Sequence, residues 1–151
     1  MKNFTSALTS NQKNLGSLLF KLLLAFTFLH ASVEKFAGGG VPDWFSKQFA
    51  TTIIASLPGG VGGGFYGIAA LEAVSGISLV LAIVFSLRSS RQKADFWAAV
   101  GFLLSEVTFF ALGAGLRISH QYSEAASLFQ YFTATLILHV LLTELSSDRV
   151  S

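Results

Sequence analysis

The sequence predicts an all-α protein: a transmembrane four-helix bundle with a short amphipathic helix in its first outer loop. Three observations predict it. Only 12% of the residues are charged, where a soluble domain is nearer one-quarter. Mean hydropathy is high, at +0.63. The apolar residues also gather into four long runs, 15–33, 65–87, 96–116 and 126–145, each long enough to be read as a membrane span. A chain of 151 residues makes one domain of this kind, residues 15–145, with an arm at 1–14 and a tail at 146–151.

The first run contains Lys21. A lysine within roughly two turns of a helix end can snorkel to the headgroups, so the span survives it. The competing reading is a signal peptide, with Lys2 and Lys13 before an apolar stretch and cleavage near Ala31. His30 and Glu34 are poor neighbours for such a cleavage, and three further spans follow. The second run is the clearest span, about 34 Å long as a helix. The third is centred near Glu106, and the fourth carries Tyr131, Thr135, His139 and Thr143 at a spacing of four, a polar stripe down one helix face.

Between the first two spans, Pro42 and Asp43 suit a helix start. Phe45, Phe49, Ile53 and Leu57 then recur every four residues, and Pro58 and Gly59 stop the pattern. This reads as one amphipathic helix, lying at the interface or folded over the bundle mouth, with a helix that only packs on its neighbours as the equal alternative. Trp44 suits headgroup level. Gly62, Gly63 and Gly64 read as a flexible entry into the second span.

Positive charge sets orientation. Lys2, Lys13, Lys21, Arg88, Arg91, Lys93 and Arg149 fall on one side, and Lys35, Lys47 and Arg117 on the other. Both termini are therefore expected in the cytoplasm, with the 34–64 and 117–125 loops outside. A net charge of +2 with no basic patch gives no reason to expect nucleic acid. With no cysteine, disulfides, thiolate metal sites and iron–sulfur clusters are excluded. The three histidines, at 30, 120 and 139, show no short metal-ligand spacing, so no metal is expected.

Two acids lie inside the apolar runs. A carboxylate at that depth costs several kcal/mol unless it is neutralised or paired, so it marks a candidate site. Glu72 lies in the outer half of span two, among Ala69, Ser75 and Gly76, small residues that admit a close helix neighbour. At the same level span one ends with His30, Glu34 and Lys35. These four residues form the candidate polar site. Lys35 would neutralise Glu34 or Glu72, and a salt bridge that only staples spans one and two is the competing reading. Glu106, Arg117, Tyr131 and His139 are secondary candidates. Glu106 sits among Phe102, Phe109 and Phe110 and needs a cation or donor to hold a charge there. For His139 and the threonines, plain interhelical hydrogen bonding is the alternative.

Three segments, 23–36 (LLAFTFLHASVEKF), the outer loop from Pro42 to Pro58, and 66–76 (YGIAALEAVSG), resemble the DoxX family of small four-helix membrane proteins. That family ends span one with a small residue followed shortly by Lys-Phe or Lys-Leu, and carries a glutamate early in span two. Lys35, Phe36 and Glu72 stand at those places. The resemblance covers about 15–145. It implies a four-helix bundle in the bacterial inner membrane and a link to redox systems. Some relatives are membrane subunits of quinone-reducing sulfur oxidoreductases, and others assemble with oxidative-stress proteins. A related bundle family uses cysteine pairs for quinone-linked thiol chemistry, which a chain without cysteine cannot perform.

Three functions follow as expectations. The first is an accessory or quinone-facing subunit of a redox or oxidative-stress complex, with Glu72, His30 and Lys35 hydrogen-bonding a quinone carbonyl or relaying its protons, and Phe26, Phe28, Phe65 and Tyr66 lining a ring pocket. The second is a small proton-coupled transporter or ion pathway using Glu72 and Glu106 as stations, which with so few spans would need a homo-oligomer. The third is a non-catalytic membrane assembly protein.

Overall fold

The computed structural model describes the backbone of residues 2–147 and the side chains of 14–143. Its elements are α1 (Lys2–Ala37), α2 (Asp43–Phe49), a 3-10 turn (Ile53–Ser56), α3 (Gly60–Leu87), α4 (Arg91–Ile118) and α5 (Tyr122–Ser147). Four stretches are long and apolar enough to cross a membrane: Asn14–Ala37, Gly60–Leu87, Arg91–Ile118 and Tyr122–Thr143. The shortest has 22 residues, about 33 Å of helix against a hydrocarbon core of about 30 Å.

The helices overrun the apolar runs that predict them. α1 continues back through the arm to Lys2, because residues 2–14 contain no glycine or proline to stop it. It ends at three glycines, of which Gly39 (φ 75°) and Gly40 (φ 141°) take conformations closed to most residues. α3 begins at Gly60, after Gly59 in the left-handed region. Gly62, Gly63 and Gly64 are therefore the first turn of a helix and not a flexible entry. Their role is close approach: a Cβ on Gly63 would lie 2.6 Å from the Pro58 carbonyl oxygen, and one on Gly64 3.1 Å from the Ile54 side chain.

The loop helix also differs from expectation. α2 stops at Phe49, and the Thr52 hydroxyl donates to the Phe49 carbonyl while accepting from the Ile54 amide. This hydroxyl bridge offers the backbone a turn in place of helix. The break rotates the pattern. Phe49 is buried, Ile53 and Leu57 are exposed, and Ile54 turns in to meet Gly64 and Gly115. Phe45 packs edge-on to Phe65 at 5.0 Å, and Gln48 donates to the Ser119 hydroxyl at 3.0 Å. The segment thus lies against α3 and the end of α4, with Trp44 left exposed.

Two three-residue turns, 88–90 and 119–121, fold α3, α4 and α5 back on one another. Each closes with a six-residue hydrogen bond, Ser90 to Phe85 and Gln121 to Leu116, both 2.9 Å. Each also places a non-glycine residue, Ser89 (φ 57°) or His120 (φ 64°), in the left-handed region.

The spanning helices pack in series, α1 on α3, α3 on α4, and α4 on α5. Each seam seats a large side chain on a glycine. A Cβ on Gly76 would lie 2.6 Å from Leu29 of α1, one on Gly101 2.7 Å from Leu79 of α3, and one on Gly113 2.9 Å from Phe129 of α5. Small residues let helices approach this closely, and in lipid that van der Waals contact is a main source of association. Phe28 meets Phe109 at 5.0 Å and brings α1 over α4 as well. Among the described residues α1 and α5 barely touch, so this edge of the bundle is open there. Buried hydroxyls do not tie helices together: Ser75, Ser78, Ser105, Thr108 and Thr135 each donate to the carbonyl four residues back in their own helix.

Gly101→Val is expected to lower stability by about 1–3 kcal/mol or more, because the added carbons meet the Leu79 backbone as well as its side chain. Gly67→Ala, with nothing within 4 Å of its new Cβ, is the control. Thermal unfolding of both in detergent checks this, and equal midpoints would show that the seam tolerates bulk.

Candidate functional site

Lys35 and Glu72 meet. Lys35 stands in the last turn of α1 and shares its face with the buried Phe28 and Ser32. Glu72 is about 18 Å along α3 from its first residue. Because the start of α3 runs on to carry the loop segment, the two come level. The Lys35 ammonium donates to both carboxylate oxygens of Glu72, at 2.8 and 2.9 Å, and approaches the Ala31 carbonyl at 3.5 Å. The Glu72 side chain is 3% exposed and that of Lys35 23%. Such a pair neutralises the carboxylate and clamps α1 to α3.

His30 and Glu34 do not join it. One residue of helix is a 100° rotation, so Glu34 points away from the face that carries Lys35. His30 Nδ1 lies 3.4 Å from Glu34, and both side chains are more than half exposed. Of the four residues grouped from sequence, the fold brings together two and turns two outward. Phe26, expected in a ring pocket, is also exposed, with its ring 5.6 Å from that of His30.

A second pair forms between α4 and α5. His139 Nδ1 is 2.9 Å from Glu106 Oε1. The imidazole lies against Phe102, ring centres 5.5 Å apart. Glu106 is 7% exposed. Either Nδ1–H donates to a carboxylate or a carboxylic acid donates to Nδ1; both place one proton between the groups. The helical hairpin sets the meeting. The 119–121 turn brings Phe109 opposite Tyr131 and Phe102 opposite His139, leaving Glu106 one turn from the histidine, within side-chain reach. The signal was present in the turn length and the residue numbers, but only once the turn was known to be that short. In the polar stripe on span four, His139 bonds across helices, while Thr135 and Thr143 donate to carbonyls of their own helix, at Tyr131 and His139.

Arg117 and Tyr131 stand elsewhere. Arg117 lies over the Tyr122 ring at 4.3 Å, and the Tyr122 hydroxyl is 2.9 Å from His120 Nδ1, so the three form a small cluster at the 119–121 turn. Tyr131 is 56% exposed beside Phe109.

A cleft of about 510 Å³ opens at the opposite end, near the 88–90 turn. It lies where α1 and α5 fail to pack. Its lining includes Lys21, Arg91, Asp95, Phe102 and His139, and does not include Glu72. Among the described residues no buried side-chain nitrogen or oxygen lacks a hydrogen-bond partner, and no group of three or more histidines or acids is placed to hold a metal ion.

The fold and its two buried acid–base pairs define a multi-pass helical membrane protein. No family model, no curated protein and no solved structure matches the chain.

Removing one partner of a buried pair leaves an uncompensated charge. Lys35→Met is expected to cost about 3–5 kcal/mol, whereas Lys35→Met with Glu72→Met should recover most of that loss. Unfolding midpoints of the single and double variants measure the coupling; additive losses would show that the ion pair does not hold α1 to α3. At the second pair, Glu106→Gln keeps a hydrogen-bonding partner for His139 and should cost only about 1 kcal/mol. His139→Leu strands Glu106 and should cost about 1–3 kcal/mol or more. The reverse order in a thermal melt would show that the carboxyl makes no use of the imidazole.

Proposed function

We propose that this protein is a non-catalytic accessory subunit of a membrane redox or oxidative-stress assembly. It sits in the bacterial inner membrane with both termini cytoplasmic. The observation that carries the proposal is the bidentate closure of Lys35 on Glu72. The acid at the family-like position is spent on holding two helices, and Glu106 is likewise committed to His139. Neither is poised as a free catalytic group. The class of assembly comes from the resemblance of residues 23–36 and 66–76 to DoxX proteins. The orientation comes from the excess of lysine and arginine on the side of Arg88, Arg91 and Lys93.

A quinone-facing form of the same reading has a defined requirement. A quinone carbonyl at this level must accept the third Lys35 N–H, now near the Ala31 carbonyl, or take the ammonium from Glu72. Phe36, next to Lys35, stacks on Tyr66 at 6.0 Å and would have to admit the ring. A proton path is the second reading, favoured by each buried acid standing beside a base. Its mark is proteoliposome proton flux that falls in Glu72→Gln.

Purification in mild detergent after in-cell crosslinking, with extraction of the bound lipids, tests the proposal. A stable protein partner is expected, and Glu72→Gln should lose that partner in step with its loss of thermal stability. A chain that recovers neither partner nor quinone would overturn the redox-subunit reading. A Glu72→Gln protein that keeps or gains stability while function falls would make Glu72 an active-site group, since such groups often trade stability for function.

A further inference from the structure

The cleft between α1 and α5 goes beyond the accessory role. Its lining is mixed. Asn14, Ser17 and Arg91 lie toward the 88–90 end, Leu18 and Leu142 come next, and Lys21, Phe102 and His139 line the inner end. Among the charged lining residues, Lys21 and Arg91 are cations and Asp95 is the anion. Among the described lining residues Asp95 offsets one of the two cations, which leaves an excess of one positive charge.

Three further points constrain the occupant. Lys21 stands inside the apolar stretch that begins at Asn14, where a cation needs an anionic partner or water. The volume, about 510 Å³, falls in the range of small-molecule sites, about 300–1,000 Å³. The open α1–α5 edge leaves no packed helix pair between the cleft and lipid. Basic pockets between spanning helices on the Lys/Arg-rich side suit lipid headgroups.

We propose that this cleft binds one anionic phospholipid from the bilayer. Its phosphodiester sits between Lys21 and Arg91, and one acyl chain leaves past Leu18 and Leu142 through the α1–α5 edge. The lipid completes the bundle on its open edge and supplies the second anion that Lys21 and Arg91 together require. Phosphatidylcholine carries the same phosphate beside a fixed cation, which the excess positive charge disfavours. Inorganic phosphate has the charge but no chain to lie against Leu18 and Leu142.

The full chain in mild detergent is titrated with phosphatidylglycerol, phosphatidylcholine or inorganic phosphate. Unfolding midpoint and lipid retained in native mass spectrometry are the readouts. Phosphatidylglycerol should raise the midpoint to saturation and remain bound as a single molecule. Lys21→Gln and Arg91→Gln should each weaken it about tenfold, the loss of one charge-assisted contact. Arg117→Gln, at the other end of the bundle, should leave it unchanged. Ala99→Trp, at an exposed lining position, should abolish retention without lowering the lipid-free midpoint. Equal response to phosphatidylcholine would overturn the proposal, as would an equal shift with phosphate alone or full retention by both Lys21→Gln and Arg91→Gln. These readouts need no redox partner, so their failure is separate from failure of the accessory-subunit reading.

Discussion

Inside a bilayer a charged side chain has no water to fall back on, so Glu72 and Glu106 depend on partners supplied by their own protein. The fold answers this twice, with Lys35 from α1 and His139 from α5. Each pair joins one outer helix of the series to an inner one. α3 and α4, which carry the acids, form the centre; α1 and α5, which carry the bases, are held from either side. Polar satisfaction and helix arrangement are one constraint here, because neither pair exists unless its two helices lie at the right depth and rotation.

Depth and rotation are set by packing. Gly76, Gly101 and Gly113 each accept a large side chain from the next helix at a distance no alanine allows. These seats fix how far the helices slide and which faces meet, and the acid–base pairs then fall within reach. The order of dependence runs that way because dispersion contacts are many and stiff, while a long side chain such as lysine adapts. The buried hydroxyls confirm the division of labour. By bonding within their own helices they remove polar cost without choosing a neighbour.

The loop segment shows where periodicity alone misleads. A spacing of four through Phe45, Phe49, Ile53 and Leu57 describes one helix face, yet Thr52 breaks the helix and hands the inward position to Ile54. The pattern could not reveal this, because the alternative rests on a single hydroxyl bridging two backbone groups. The glycines at 62–64 mislead in a similar way. Read as freedom, they are room for Pro58 and Ile54.

Much of the candidate site was visible beforehand, and the missing part has one cause. Span number and the common level of Lys35, Glu34 and Glu72 follow from hydropathy, helix rise and the order of the chain. The outward turn of His30 and Glu34, the bond between His139 and Glu106, and the cleft beside Lys21 do not. Each depends on which way a helix is rotated and which neighbour it lacks. The sequence by itself determined that four helices cross a membrane and carry two acids needing partners. Only the tertiary structure decided that histidine serves the second acid and that α1 and α5 stay apart, because rotation is settled by side-chain contacts between helices and not by the composition of any one of them.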